Sequence, residues 1–161
     1  MNSSPNRASN PPGKPRRKDL NLDLTTARQM LPLVKSIVAD IVDTTGRLQQ
    51  LAPVQETLDE LRRSLTWKSR EKRYAVRDEV EKAEQNLEVA KTELDSLGLS
   101  ISDPVAGRVD FPTRINGRPA VFSWQLGEDG VQFWQYAGEE LRRPIPADWQ
   151  QGTPVRYRAE P

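Results

Sequence analysis

Two groups of residues in this chain of 161 carry side chains suited to binding chemistry. The first group lies within and after residues 107–136, where a carboxylate, several arginines and aromatic rings occur close together. Arginine forks suit carboxylates and phosphates, and exposed aromatic rings offer large amphipathic contacts. This group therefore predicts a surface for a small ligand or a partner protein, formed by Asp110, Arg118, Trp134, Tyr136, Arg142 and Arg143.

Pairing within this first surface is the main alternative to ligand binding. In one interpretation Asp110 pairs with Arg118 across a hairpin, which leaves Arg142 and Arg143 for an anionic partner. The favoured interpretation is that these arginines form surface ion pairs with acids of the surrounding domain, because such pairs are common and individually weak. Strand alternation makes Trp134 and Tyr136 the expected exposed aromatics. A base-stacking platform on the sheet is another alternative, with Phe122, Trp124, Phe133 and Trp134 as its members.

The second group is a basic stretch with interleaved aromatic residues at 62–77. Seven cations against one acid give this stretch a net charge of +6. Arg62 and Arg63 suit a helix C-terminus, whereas cations at a helix start are disfavoured by the macrodipole. The pattern is typical of a phosphate-backbone contact, although a solvated helix surface is the plainer alternative. The candidate nucleic-acid contacts are Arg62, Arg63, Trp67, Lys68, Arg70, Lys72, Arg73, Tyr74 and Arg77.

Several classes of chemistry are disfavoured by what the chain lacks. It contains no cysteine and no histidine. Zinc sites, disulfides, thiol nucleophiles and Ser-His-Asp hydrolysis are therefore not expected, and no cofactor is predicted. Carboxylates remain as ligands for Mg²⁺ or Ca²⁺, but they show no fixed ligand spacing. These carboxylates are Asp110, Glu128, Asp129, Glu139 and Glu140.

The net charge of +1 conceals an uneven distribution along the chain. Residues 1–18 carry +5 with no acid, so the rest of the chain outside this tail and the basic stretch carries −10. The tail is rich in Pro, Ser and Asn, which predicts disorder over residues 1–22. No apolar stretch is long enough for a membrane helix and no export signal is present, so a cytoplasmic protein without membrane contact is expected.

Heptad periodicity predicts a long antiparallel helical hairpin over residues 26–97. A capping box at Thr26 and Gln29 is expected to begin the first helix, and Pro53 is expected to bend or briefly break it. Gly98 is expected to end the second helix. The core positions of the first helix are Val34, Ile37, Ile41, Thr44, Leu48, Leu51, Gln55, Leu58, Arg62 and Leu65; those of the second are Val76, Val80, Ala83, Leu87, Ala90, Leu94 and Leu97.

Alternating hydrophobic residues after Gly98 predict a small antiparallel β-meander of three or four strands over residues 98–137. The Asn116-Gly117 and Asp129-Gly130 pairs are typical of tight hairpin turns, because these residues tolerate positive φ. The even-numbered residues 120–126 are expected to face the helices. The fold class is therefore α+β, with one folded domain at 23–150, an irregular segment at 138–150 and a flexible end at 151–161.

The ordered motifs resemble a known family. TARQMLP at 26–32, GRVDFP at 107–112, NGR at 116–118, FSWQLGE at 122–128 and VQFW at 131–134 are similar to an uncharacterised bacterial family known as domain of unknown function 2203. The resemblance covers about residues 23–149 and implies no established activity. Its members often have His after the last Trp, where this chain has Gln135, and a Gly-Arg-x-Pro segment where it has residues 142–145.

Three functions follow from these observations. The leading interpretation is a non-enzymatic interaction or structural module that binds an unidentified protein partner or self-associates, because Thr44, Gln55 and Arg62 interrupt the apolar heptads. The alternative is an RNA- or ribosome-associated protein that contacts phosphates through the basic stretch and the basic tail. The third is a metal-dependent enzyme built on carboxylates.

Overall fold

The computed structural model describes residues 20–150, without the side chain of Gln150. Predictions for residues 1–19 and 151–161 lie outside this range. Two antiparallel helices, α1 (Leu24–Glu60) and α2 (Trp67–Ser96), are followed by a five-stranded antiparallel sheet. The α+β class predicted from the sequence is confirmed. No helix among the described residues has the length and apolar character needed to cross a lipid bilayer.

The start of α1 differs from the predicted capping box. The helix begins at Leu24, because the Asp23 carboxylate accepts a 2.7 Å hydrogen bond from the backbone N–H of Thr26. This bond lowers the pKa of Asp23 below its usual range. Thr26 is thus a residue inside the first turn and not the cap. A carboxylate at this position also interacts favourably with the positive end of the helix dipole.

Pro53 lies inside α1 without a break in the helix. Its ring removes one backbone donor, but the helix continues, so the brief break near Ala52, one of the two effects predicted there, does not occur. The Thr57 hydroxyl donates to the Pro53 carbonyl at 2.9 Å. Leu51 and Leu58 are buried on either side of the proline, so packing against α2 continues across it.

The hairpin contains a distal hydrophobic cluster that is separate from the main core. Leu51 and Leu58 of α1 meet Val76 and Val80 of α2, with Leu48, Val54 and Leu65 packed around them. These are heptad positions, as predicted, apart from Val54. Arg47 Nε donates to Glu79 Oε1 at 2.6 Å and links the two helices between the distal cluster and the main core.

The sheet is a simple meander in which each strand pairs with the next. A tight turn at Asn116 (φ 53°) and Gly117 (φ 74°) joins its two long strands, which confirms that predicted hairpin. The fifth strand, one more than predicted, has only two residues and ends the sheet at a proline, which an edge position tolerates. The strands are β1 (Ser100–Asp103), β2 (Arg108–Ile115), β3 (Arg118–Gln125), β4 (Phe133–Tyr136) and β5 (Arg143–Pro144).

The second predicted hairpin turn is wrong in position. Between β3 and β4 the chain makes a seven-residue loop, 126–132. Positive φ falls on Gly127 (φ 100°), and Glu128 N–H donates to the Gln125 carbonyl at 3.0 Å. The buried indole of Trp124 donates to the Glu128 carbonyl at 3.2 Å and so holds the loop against the strand it leaves.

One face of the sheet, the inner face, packs on the open end of the helical hairpin. The first half of α1 and the end of α2 supply the helical side, as the sequence predicts. Gly98 (φ 79°) ends α2 and directs the chain into β1, which confirms its predicted role. The buried sheet residues of this core include Val109, Phe111, Ile115, Ala120, Phe122, Trp124, Trp134 and Tyr136.

Candidate functional site

The tip surface is the end of the hairpin farthest from the sheet: the turn 61–66 and the first turns of α2. Thr66 caps α2, and its hydroxyl accepts a 3.4 Å bond from the Ser69 N–H. Since α2 has 30 residues at about 1.5 Å each, the tip lies roughly 45 Å from the start of the sheet. All nine residues predicted to contact nucleic acid belong to this region, so the structure brings them together.

Two aromatic side chains of the tip surface point away from the hairpin core. Trp67 is 72% exposed and Tyr74 is 56% exposed. They are seven residues apart, almost two full turns, and therefore lie on the same side of α2. Val76, which is buried in the distal cluster, lies nine residues after Trp67 and faces about 180° away from it. Neither aromatic ring is thus used to hold α2 against α1.

Most cations of the tip surface have no ion-pair partner within the described chain. Arg73 binds Asp59 of α1 at 2.7 Å, and Arg77 lies 3.8 Å from Glu81 one turn further along α2. Over residues 20–150, no ion pair joins the five remaining cations, which are Arg62, Arg63, Lys68, Arg70 and Lys72. Glu56, Asp59 and Glu60 occupy the last turns of α1, so positive charge is confined to the turn and α2.

Asp110 does not pair with Arg118, and the arginines of this surface instead form ion pairs with Glu128 and Glu139, as the favoured interpretation predicted. In the register set by the Asn116-Gly117 turn, Asp110 lies opposite Ser123 and Arg118 lies opposite Ile115, at the other end of the hairpin. Arg118 instead approaches Glu139 at 3.8 Å. Arg143 also binds Glu139, at 3.1 Å, so Arg143 is not left for an anionic partner.

Trp134 and Tyr136 are buried, contrary to the prediction that they are exposed. Trp134 is 0% exposed and Tyr136 is 9% exposed. They lie opposite Phe122 and Ala120 of β3 and so share the inner face with them. The two rings meet edge to face at 5.0 Å. Arg118 covers the Tyr136 ring at 4.0 Å and Arg143 covers the Trp134 ring at 5.0 Å, which closes this edge of the core.

Arg142 is the centre of a polar cluster on the outer face of the sheet. Its guanidinium donates to the hydroxyl of Ser123 at 3.1 Å, to the Ser123 carbonyl at 3.2 Å and to Glu128 at 2.7 Å. It also lies 4.3 Å from the centre of the Phe133 ring. Because these contacts join the chain after β4 to the central strand and to the preceding loop, Arg142 stabilises the sheet and is not available as a free anion receptor.

Asp110 lies beside this cluster and has a perturbed carboxyl group. Burial raises the pKa of Asp110 above its usual range. A bond from the Ser102 hydroxyl at 3.4 Å and the positive charges of Arg108 and Arg142 oppose that rise. Arg108 is itself held by the Gln125 side chain at 3.1 Å. Asp110 can therefore take up a proton at a higher pH than an ordinary carboxylate. The Ser123 side chain, on the residue opposite Asp110, is fully buried.

The fold and these motifs agree with a comparison against protein families. The family described as "Uncharacterized conserved protein (DUF2203)" matches residues 22–145. This chain belongs to that family. No curated protein and no solved structure gives a significant match. The predicted resemblance is therefore confirmed, and both candidate surfaces lie within the part shared with other members of the DUF2203 family.

Gln135 occupies the place where, according to the resemblance, related sequences often have His. In this DUF2203 protein its side-chain amide donates to the Glu139 carbonyl at 2.8 Å. A histidine N–H at this place would be able to make the same kind of bond. The contact fixes the turn after β4, and Glu139 in that turn binds both Arg118 and Arg143.

The carboxylates considered for metal binding are dispersed. Among residues 20–150, no group of three or more Asp or Glu side chains is arranged to hold a metal ion. Glu128 and Glu139 are each engaged by arginine. A groove of about 420 Å³ is lined by residues 20–21, by residues of β2 and β3, and by Ala137. Arg114 is its one charged lining residue. None of the residues predicted for the first surface lines this groove.

Sequence reasoning missed the residues that surround Asp110 and Arg142. Ser123 was predictable, because a two-residue turn at Asn116-Gly117 pairs residues whose numbers sum to a constant and so places Ser123 opposite Asp110. No local signal identifies Glu128 as the partner of Arg142, since the two are 14 residues apart and meet only through the long loop and the chain after β4. Leu61, 49% exposed in the turn, was also missed at the tip surface.

Proposed function

We propose that this DUF2203 protein is a non-enzymatic interaction module that binds the phosphate backbone of RNA through the tip surface. The observation that carries the proposal is the exposure of Trp67 and Tyr74 on the side of α2 that faces away from the hairpin, among five cations without ion pairs in the described chain. An RNA partner also agrees with the cytoplasmic location that the sequence predicts.

The exposed aromatics support a binding role because the fold gains little from them. A Trp or Tyr ring normally buries about 150–250 Å² and dominates the energetics of a core or an interface. Trp67 and Tyr74 instead leave most of their surface in water, while the hairpin is held by Leu51, Leu58 and Val80. Stacking a nucleic-acid base on such a ring contributes about 1–3 kcal/mol.

The position of the cations supports an anionic partner. Lys68 and Arg70 lie in the first turns of α2, where the helix dipole is positive and each cation is disfavoured by roughly 0.3–1 kcal/mol. Arg62 and Arg63 add charge from the adjoining turn. A phosphate backbone would neutralise these charges and release its own counterions.

The tip surface is also separate from the packing of the sheet. The distal cluster beneath it contains residues of α1 and α2, and no residue of the sheet belongs to it. A ligand at the tip would therefore contact a surface roughly 45 Å from the start of the sheet. Substitutions at the exposed cations are expected to alter binding without unfolding the domain.

The test is a titration of a fluorescently labelled RNA at several salt concentrations. The tip variant replaces Lys68, Arg70 and Lys72 by Ala; the matched control replaces Lys35, Lys82 and Lys91 by Ala, which removes the same charge outside the tip surface. Each phosphate contact contributes about 0.7–0.9 to the slope of log affinity against log salt. The tip variant should therefore lose about two units of slope, and the control much less.

Two outcomes would overturn this proposal. One is the absence of RNA binding by the full chain at low salt. The other is an equal loss of slope in the tip variant and the control, which would show that only overall charge matters. A chain lacking residues 1–18, which carry +5, measures the separate contribution of the basic tail.

A further inference from the structure

We propose that the tip surface binds single-stranded RNA in preference to duplexes, by stacking bases on Trp67 and Tyr74 and contacting phosphates with Arg70 and Arg77. This inference rests on the proposed function and specifies the class of nucleic acid. It comes from the order of side chains along the outward side of α2: aromatic, arginine, aromatic, arginine. We call these four residues the stripe.

The spacing of the stripe places all four side chains on one side of the helix. They follow one another at steps of three, four and three residues. At about 100° per residue they fall within a sector of about 80°, and at about 1.5 Å per residue they lie at about 0, 4.5, 10.5 and 15 Å along the axis. A strand that runs along α2 would thus meet base-stacking and charged groups in alternation.

A duplex does not present free base faces on which the aromatic rings of the stripe could stack. In a double helix the two faces of each base are already covered by neighbouring bases, so the phosphates, the sugars and the groove edges of the bases remain accessible but the base faces do not. The major groove of duplex RNA is too deep and narrow for side chains to read. Trp67 and Tyr74 would then contribute little, whereas unstacked bases of a single strand can lie on both rings.

The stripe also predicts a minimum length of RNA. Trp67 and Tyr74 are about 10.5 Å apart along the axis, and stacked bases rise about 3.4 Å each. Bases on the two rings are therefore about three steps apart if the intervening strand stays stacked. An oligonucleotide of two residues reaches one ring only, whereas one of six residues spans both.

The experiment compares oligouridylates of two, six and twelve nucleotides with a twelve-base-pair RNA duplex. Trp67→Leu and Tyr74→Leu remove the ring but keep an apolar side chain with high helix propensity. Each should lower the affinity for the twelve-nucleotide single strand about 5- to 150-fold, the range expected from loss of one stacked base. Duplex affinity and the salt slope should stay unchanged. Trp67→Phe, which retains a ring, should restore most of the affinity.

Intrinsic fluorescence gives a direct readout of the contact. Trp67 is the one exposed tryptophan of four, because Trp124, Trp134 and Trp149 are buried. Iodide should therefore quench mainly Trp67, and the twelve-nucleotide single strand should protect it while the duplex protects it much less. Circular dichroism of each variant verifies that α2 remains helical.

The outcomes separate this inference from the proposed function. Equal losses for single strand and duplex, or no loss in either leucine variant, would overturn the single-strand inference and leave phosphate binding at the tip intact. If the tip variant bound every RNA with the same affinity and salt slope as the wild type, both the single-strand inference and the proposed function would be overturned. Equal affinity for two and six nucleotides would contradict the use of both rings.

Discussion

Arg142 binds Ser123 twice, through the hydroxyl at 3.1 Å and through the backbone carbonyl at 3.2 Å. The two residues are 19 positions apart, and Ser123 is fully buried on the central strand. Arg142 also binds Glu128 at 2.7 Å, and both side chains of this ion pair are only 19% exposed. A single guanidinium thus holds the chain after β4 against β3 and the loop between them.

Substitution of Arg142 should therefore destabilise the sheet. Arg142→Gln leaves Glu128 partly buried without its partner and the Ser123 groups without a donor, which we expect to cost about 1–3 kcal/mol. Urea unfolding followed by near-ultraviolet circular dichroism measures the loss. Arg63→Gln, at an exposed position in the turn 61–66, is the control and should change stability by less than about 0.5 kcal/mol. Equal stability of both variants would refute the structural role of Arg142.

Asp110 should make stability depend on pH in a defined direction. Burial raises its pKa above the ordinary value of 3.8, so the folded protein holds this proton more tightly than the unfolded chain. The stabilising contribution of this group is complete below the unfolded pKa and is lost as pH rises through the raised folded pKa. Asp110→Asn should therefore raise Tm at neutral pH, and this gain should shrink as pH falls toward the ordinary pKa of the carboxyl group.

Thermal unfolding of wild type and Asp110→Asn between about pH 4 and pH 7 tests that expectation. Asp129→Asn, at an exposed loop position, removes the same charge and is the control. A gain in Tm that is constant over this range would contradict the assignment to Asp110 titration, because a neutral Asn would then act through packing alone.

Gly107 should not tolerate a side chain. Its φ is +75°, and a Cβ there would lie 2.8 Å from Val42 Cγ2 and 2.9 Å from both Leu126 Cβ and Val38 Cγ1. Gly107→Ala combines backbone strain with overpacking and should cost about 2–4 kcal/mol in the free energy of unfolding. A methyl group added at Gly46 in α1 would meet nothing within 4 Å, so Gly46→Ala should stabilise by about 0.5–1 kcal/mol. Chemical denaturation should therefore show a lower free energy of unfolding for Gly107→Ala and a higher one for Gly46→Ala.

The two hydrophobic clusters should respond separately to truncation. Leu94 belongs to the main core and Leu58 to the distal cluster. Leu94→Ala should lower the free energy of unfolding of the whole domain by about 2–5 kcal/mol, because the truncation leaves a cavity between the helices and the sheet. Leu58→Ala should mainly increase amide hydrogen exchange near the tip, with little change in β2 and β3. Increased exchange throughout the sheet in Leu58→Ala would show that the clusters unfold together.

Short sequence patterns were sufficient to predict those parts of the structure that a single pattern controls. Heptad spacing identified the buried positions Val34, Ile41 and Leu94, and Gly98 marked the end of α2. The Asn116-Gly117 pair identified the first hairpin, although the register that this turn sets, with Asp110 opposite Ser123, was missed. The tip cations and aromatics were also identified, because a short link between two antiparallel helices brings them together in any packing.

The prediction for β4 shows why the sheet surface was harder to predict. A two-residue turn at Asp129-Gly130 and the observed seven-residue loop differ by an odd number of residues. Side chains alternate with a period of two, so an odd difference moves every side chain of β4 to the other face. Trp134 and Tyr136 consequently lie in the core, and Phe133 lies on the outer face beneath Arg142.

The sequence by itself determined the two helices, the first hairpin, the order of strands and the stripe, because each depends on residues close together in the chain. Tertiary structure alone decided which face of β4 is buried, that Glu128 and Ser123 bind Arg142, and that Gly107 is pressed against Val38 and Val42. These contacts join distant segments across a loop whose length and course depend on the packed core. Their geometry is therefore set by the whole fold, and no local pattern encodes it.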